Sequence, residues 1–257
     1  MVKEQPNSLS LLTYNIQAAS MTTSYRDYVT KGWRQLWPHR HQVQHLNAIG
    51  SLLGHYDFIG LQEVDGGSFR SGFINQTCYL AGRAGMPFWF SRPNRNVGNY
   101  AKHSNGLISR YEPSRCLHRK LPGVPGRGLL IAEYDYGDEA LAVIVVHLAL
   151  GGQSQRRQLE YIRKLARQYP HCIILGDFNR TANTRPMRDL LSYGFVDGCQ
   201  EGMTFPSWRP RRKIDYILVS KELEICSSEV VEYYLSDHLP VRLEVRLPET
   251  VKLSPQP

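Results

Sequence analysis

Eight polar residues stand at or near the ends of apolar, strand-like runs along this chain: Asn15, Glu63, His147, Asp177, Asn179, Asp215, Asp237 and His238. Carboxylates with amides supply oxygen ligands suited to a hard cation such as Mg²⁺. Imidazoles beside carboxylates can hold and move protons. Together they equip a site for phosphoester hydrolysis, in which a water is activated and developing negative charge is stabilised. Each alone has a plainer explanation. Asn15 and Asn179 suit turns, Asp177 suits a helix cap, Glu63 a surface and His147 a hydrogen-bonded core. The repetition of such residues at strand ends carries the functional reading.

The elements that must position them follow from periodicity. Residues 241–247 alternate apolar and charged side chains and read as a half-buried strand, so Asp237 and His238 sit in the loop it delivers. Residues 9–15, 57–63, 173–177 and 214–219 read as strands, and residues 129–136 and 140–146 as a hairpin around Gly137-Asp138. Val43, Leu46, Ile49 and Leu53 recur at helical spacing before Gly54, as do Leu159, Ile162, Leu165 and Ala166 behind Arg156-Arg157. Residues 91–128, dense in Pro, Gly, Asn and Arg, are expected to form long loops around short strands such as 106–109. Residues 248–257 are expected as a loose tail. Strands alternate with helices and several strands adjoin in sequence, which predicts mixed sheets with helices outside, in one domain over residues 1–257.

Composition narrows the function classes. The chain has 257 residues, 42% hydrophobic and 21% charged, as an ordinary globular protein does. Its formal net charge of +8 favours a polyanionic partner such as nucleic acid, a phospholipid surface or a phosphorylated small molecule. The five cysteines are odd in number and form no CxxC pair, which predicts reduced thiols in a cytoplasmic protein. The apolar run 141–150 is too short to span a bilayer and contains His147. A cytoplasmic monomer without a transmembrane segment is expected. The chain has no HExxH, no GxxxxGK[ST] and no GxSxG, which argues against a zincin, a P-loop nucleotidase and a serine hydrolase.

Six segments occur in a telling order: Thr13-Tyr14-Asn15-Ile16, Leu61-Gln62-Glu63-Val64, Val146-His147-Leu148, Leu175-Gly176-Asp177-Phe178-Asn179, Lys213-Ile214-Asp215-Tyr216-Ile217 and Ser236-Asp237-His238-Leu239-Pro240. This series resembles the endonuclease/exonuclease/phosphatase superfamily, also called DNase I-like, and Asn105-Gly106-Leu107-Ile108-Ser109-Arg110 resembles a less specific segment of it. The resemblance implies an α/β fold, a two-sheet sandwich flanked by helices in four layers, α/β/β/α. It implies a Mg²⁺ site, with Mn²⁺ as an alternative, at Glu63, with Asn15 beside it and Asp237 near it. Asp177 would orient or deprotonate the attacking water, while Asn179 and His147 would hold phosphate oxygens. His238, held by Asp215, would contact the phosphate or transfer a proton, and either Asp177 or His238 would be the base. The chain departs from the abasic-site repair branch, carrying Gln17-Ala18 after its first Asn and His147 where that branch has a Tyr-containing segment. It is more similar to the branch with sphingomyelinases and inositol phosphatases.

The substrate is read from basic, aromatic-bearing segments at residues 25–41, 92–103, 115–120 and 208–213. In the last, Arg209, Arg211, Arg212 and Lys213 could neutralise substrate phosphates, and Trp208 could stack on a base. Asn105 joins them as a candidate substrate contact. A phosphodiesterase acting on nucleic acid is favoured narrowly over one acting on a phospholipid or a phosphorylated small molecule. A silent binding module is disfavoured because no matched position has been lost.

Overall fold

The computed structural model describes residues 8–19 and 40–254. The basic segment 25–41 falls almost wholly outside them. Among the described residues, twelve strands form two mixed six-stranded sheets, and four helices lie around them. In chain order the elements are β1 (Ser8–Asn15), α1 (Arg40–Leu53), β2 (Phe58–Asp65), α2 (Gln76–Arg83), β3 (Phe88–Val97), β4 (Ala101–Ser109), β5 (Arg115–Lys120), β6 (Gly128–Tyr134), β7 (Leu141–His147), α3 (Gly152–Ala166), β8 (His171–Asp177), α4 (Arg185–Leu191), β9 (Phe195–Asp197), β10 (Asp215–Ser220), β11 (Glu224–Val230) and β12 (Val241–Arg246). The first sheet runs β11-β12-β1-β2-β4-β3 and the second β5-β6-β7-β8-β10-β9.

The four layers follow from strands that are apolar on both faces. In β7, Leu141, Val143 and Val145 point into the core between the sheets. Ala142, Ile144 and Val146 point outward onto Leu159 and Ile162 of α3 and Met187 and Leu190 of α4. A period-two strand buried on both sides needs a cover on each, and the second sheet plus a helix layer supply them. The outer face of the first sheet is covered likewise by Leu46, Ile49 and Leu53 of α1 and Leu80 of α2. Gly60 marks a close approach of the two sheets, because a Cβ there would meet Leu175 Cβ at 2.8 Å.

Two sequence expectations are corrected. Residues 91–128 are largely strand, not loop: β3 pairs with β4 and β5 with β6, both antiparallel. Pro93 and Gly126 obscured these strands, yet Pro93 lies in an outer strand, where a missing N–H is tolerated. The tail is not loose over its described part. Val251 and Leu253 are buried in the inter-sheet core, and Ser254 Oγ accepts a hydrogen bond from the Glu112 amide at 2.6 Å. Among the described residues no helix is long and apolar enough to cross a membrane.

Candidate functional site

Strand direction gathers the polar residues at one edge of the sandwich. β1 and β2 are parallel, and so are β7 and β8, so their C-terminal ends carry Asn15, Glu63, His147 and Asp177 to the same side. Register sharpens this, because His147 lies opposite Asp177 across the parallel pair and Asp215 lies opposite Asp177 across the antiparallel pair of β8 and β10. β12 runs antiparallel to β1 with Val241 opposite Thr13, which brings the preceding loop with Asp237 and His238 to that edge.

Asp177 is the centre of the cluster. Its Oδ1 accepts the Asn179 amide at 2.8 Å and its Oδ2 the Asn15 Nδ2 amide at 3.1 Å. The same Oδ2 lies 3.4 Å from His147 Nε2 and 3.8 Å from His238 Nε2. His238 Nδ1 contacts Asp215 Oδ2 at 2.9 Å, the pairing that the sequence resemblance implied. Phe205 packs against the His238 ring, centroids 4.9 Å apart. Asn179 Nδ2 donates to the Leu148 carbonyl, which ties the β8 turn to the end of β7.

Burial and charge set the protonation states. Burial pushes the Asp177 carboxyl upward, the nearby His238 opposes this, and Asp215 adds to it. Burial alone would lower His238, but Asp215 and Asp177 outweigh it and hold the imidazole well above its ordinary value. His147 goes the other way, driven far down by burial and by the charges of Arg127 and His238. The same surroundings thus favour the cationic form of His238 and the neutral form of His147.

Glu63 is delivered by a special backbone. The β2–β4 register slips between Leu61 and Val64, and Glu63 takes a left-handed conformation with φ 55°. Such a bulge re-aims a side chain out of the sheet. The Glu63 side chain is 35% exposed, with Oε1 at 3.9 Å from His147 Nε2. Asn179 also has positive φ, at 52°. After Asn15, Gln17, Ala18 and Ala19 have φ of 47°, 52° and 57°, a left-handed turn of three non-glycine residues. That conformation costs roughly 1–2 kcal/mol per residue, so the surroundings must hold it. Asn15 Oδ1 accepts the Gln17 amide, and the Ala18 carbonyl accepts Gln42 Nε2 at 2.9 Å and Gln76 Nε2 at 3.0 Å. Gln76 Oε1 in turn accepts the Asp65 amide at 2.8 Å, so this buried side chain clamps the ends of β1 and β2 together.

The residues present fit a hard divalent cation. Asp177 and Asp237 are buried carboxyls pushed upward by burial, each with a further increment from Glu63, and a bound cation would relieve that repulsion. The donors are oxygen and imidazole nitrogen, with no thiolate among them. The ligating atoms of Asp177, Asp215 and His238 lie within 4.8 Å of one another. His238 Nδ1 is already engaged by Asp215, so this trio is better suited to holding a proton than to caging a metal.

The structure thus brings together Asn15, Glu63, His147, Asp177, Asn179, Asp215, Asp237 and His238. Asn105 lines an adjoining cavity with Glu63, where its Nδ2 donates to the Gly128 carbonyl and its buried Oδ1 has no partner. The loop bearing Trp208, Arg209, Arg211 and Arg212 is anchored beside His238, since the Ser207 amide donates to the Asp237 carbonyl and the Leu239 amide to the Thr204 carbonyl. Its three arginines are exposed and reach outward, and Trp208 is half-buried. Lys213 does not belong with them. It is buried, and its Nζ bonds Asp197 and the Cys199 carbonyl. Sequence reasoning missed Gln76 and Arg127, and gave His103 only as the last residue of a basic segment. His103 stands two residues before Asn105 in a strand, a same-face spacing that could have flagged it. Arg127 and Gln76 carry no such signal.

The sequence pattern of the Endonuclease/Exonuclease/phosphatase family matches residues 12–238. The chain belongs to this family. Its members are phosphoester hydrolases, generally dependent on a divalent metal, and the chain is a phosphoester hydrolase. No curated protein matches it in sequence. Among solved structures it is similar to an endonuclease/exonuclease/phosphatase from Beutenbergia cavernae DSM 12333, with TM-score 0.72 and 19% identity over 95% of this chain and 73% of that one. It is similar to a mannosyl-6-phosphatase from Bacteroides thetaiotaomicron VPI-5482, with TM-score 0.69 and 16% identity over 93% of this chain and 100% of that one. A humanized D. rerio TDP2 is similar too, with TM-score 0.65 and 17% identity over 94% and 100%. At such identities the likeness is one of fold.

Proposed function

We propose that this family member is a Mg²⁺-dependent phosphodiesterase that hydrolyses nucleic acid. The observation that carries the substrate reading is cationic charge on both flanks of the cluster. On one flank lie the exposed Arg209, Arg211 and Arg212, in the loop between β9 and β10, at one end of the second sheet's strand order. On the other lie Arg95 and Arg127, at the β3 and β5 ends of the two sheets. An extended polyanion crossing the cluster would meet cations on either side of the bond to be cut.

Glu63 would hold the cation, with Asn15 beside it and Asp237 near it, and Mn²⁺ could replace Mg²⁺. A bound divalent ion supplies charge withdrawal from a phosphate oxygen. Asp177, fixed by Asn15 and Asn179, orients the attacking water and accepts its proton as the bond to phosphorus forms and the bond from phosphorus to the leaving oxygen breaks, the leaving oxygen taking a proton from solvent. That assignment is supported by the upward pull of burial on its carboxyl, which makes it a better base than an exposed aspartate. His238, kept cationic by Asp215, donates a hydrogen bond to a phosphate oxygen where negative charge grows. His147, neutral, and Asn179 hold further phosphate oxygens. Trp208 is available to stack on a base.

A second reading, hydrolysis of a phosphorylated small molecule, is supported by the cavity beside Glu63 and by the likeness of fold to the mannosyl-6-phosphatase. The test uses the Arg209→Gln, Arg211→Gln, Arg212→Gln triple variant with DNA, RNA, anionic sphingomyelin vesicles, inositol phosphates and bis-p-nitrophenyl phosphate, each in Mg²⁺ or EDTA. The nucleic-acid reading expects Mg²⁺-dependent cleavage of DNA or RNA. It expects the salt slope of binding to flatten by roughly 0.9 per lost contact on duplex DNA. Cleavage of the small diester should stay unchanged. Saturable cleavage of vesicles or inositol phosphates alone would replace this reading with a lipid or small-molecule one.

A further inference from the structure

Next to the reacting cluster lies a cavity of about 520 Å³, whose wall on that side is Glu63 and His147. Of the eight clustered residues only Glu63 and His147 line it, so it opens beside the cluster and shares that wall with it. Its polar lining includes Arg95, His103 and Arg127. Its rim is apolar, with Val124 49% and Leu150 77% exposed.

The basic side chains are held there by construction. Arg95 of β3 lies across Gly126, where a Cβ would sit 3.1 Å from both its Cβ and its Cδ. Asn94 and His118 close over Gly128, and Asn105 Nδ2 bonds the Gly128 carbonyl. These contacts dock β3, β4 and the β5–β6 connection together, which sets Arg95 and Arg127 on one wall. Neither guanidinium has a hydrogen bond or ion pair with a described residue. Burial depresses Arg127, Glu63 and Asp177 offset this in part, and the like charge of Arg95 adds to it.

Arg127 is half-buried and Arg95 exposed. Glu63 and Asp177 offset the burial of Arg127 only in part, and an anion between the two guanidinium groups would relieve both that desolvation and their mutual repulsion. The planar fork of arginine matches the oxygens of a phosphate, and two such forks on one wall can engage one phosphate from two directions. The phosphate under attack is already provided for by His147, Asn179 and His238. We propose that the cavity walled by Arg95, His103 and Arg127 binds a second phosphate of the same substrate molecule, with the adjoining organic group against Val124 and Leu150. The inference rests on the phosphodiesterase reading above and adds a specificity determinant to it. The second phosphate has two possible sources, the next diester of a strand or a terminal monoester.

The test is calorimetric titration in EDTA with three thymidine ligands: TpT, 5′-phosphorylated pTpT and the trinucleotide TpTpT. The wild-type protein should bind at least one of the two doubly phosphorylated ligands about tenfold more tightly than TpT. A preference for TpTpT alone identifies the strand as the source, and a preference for pTpT identifies a terminal phosphate. Arg127→Gln and Arg95→Gln should each cut that preference to about twofold, with circular dichroism confirming the fold. A wild type without the preference overturns the proposal. Variants that retain it, or that lose TpT and the bisphosphates equally, overturn it too. Hydrolysis of bis-p-nitrophenyl phosphate in Mg²⁺ is measured alongside. Its absence with the preference intact would defeat the phosphodiesterase reading while the subsite stands.

Discussion

His147 and His238 point their Nε2 atoms at one oxygen, Asp177 Oδ2, from 3.4 and 3.8 Å, and yet their imidazoles are shifted in opposite directions, His147 down and His238 up. The difference comes from the second partner of each. His238 has Asp215 on its other nitrogen, whereas His147 has Arg127 and two further imidazoles in its field.

On the proposed assignment, Asp215 acts through His238, which it contacts at 2.9 Å. His238→Ala should lower turnover of bis-p-nitrophenyl phosphate by roughly 100-fold or more, as the loss of a donor to developing negative charge does. Asp215→Ala, Asp215→Asn and His238→Ala are compared with the Asp215→Ala, His238→Ala double variant. Because the two side chains work as a unit, the double loss should be close to that of His238→Ala alone. Multiplicative losses would separate them.

Glu63→Gln keeps the shape of the side chain and removes its charge. The apparent Mg²⁺ affinity should fall by at least the roughly 10–100-fold known for losing a mere outer-shell partner, with turnover falling alongside. Circular dichroism and thermal unfolding should change little, since the side chain is 35% exposed. Undiminished activity at limiting Mg²⁺ would remove Glu63 from the metal site.

Stability should respond to acid through Glu133. Burial would raise its carboxyl, but hydrogen bonds from Arg115 and Tyr169 and the Arg115 charge take it below its ordinary value. A carboxyl depressed on folding stabilises above its unfolded value, about 4.3, and loses that contribution as pH falls through the native one. At neutral pH Glu133→Gln should cost about 1 kcal/mol, a value discounted because the Arg115 side is open to solvent. The Tm gap between wild type and variant should stay constant from neutral pH to about 5 and close below about 4. A gap that widens in acid contradicts this account.

What the sequence by itself determined is the set of strand-end groups and the strands that deliver them. Alternation and apolar runs are local properties. β1, β7, β8 and β10 were therefore legible within a few residues, and Asn15, His147, Asp177 and Asp215 could be placed at their ends. β3 and β5 were not legible, because they lie at the outer ends of their sheets and carry Pro93, Arg115 and Arg119, so their pairing depends on neighbours far along the chain. The same reason hid the packing of Val251 and Leu253, whose apolar character has value only against a core made elsewhere. Lys213 looked like one more free cation in a basic run. Only the fold could show that its ammonium is used up on Asp197 and the Cys199 carbonyl. Arg127 and Gln76 make the same point in the site. Nothing adjacent in sequence marks them, and their roles come from Arg95 lying across Gly126 and from an amide reaching both the Asp65 N–H and the Ala18 carbonyl. Residue type and period are written along the chain, whereas charge state, partner and cavity arise from contacts between distant segments, which tertiary structure alone decides.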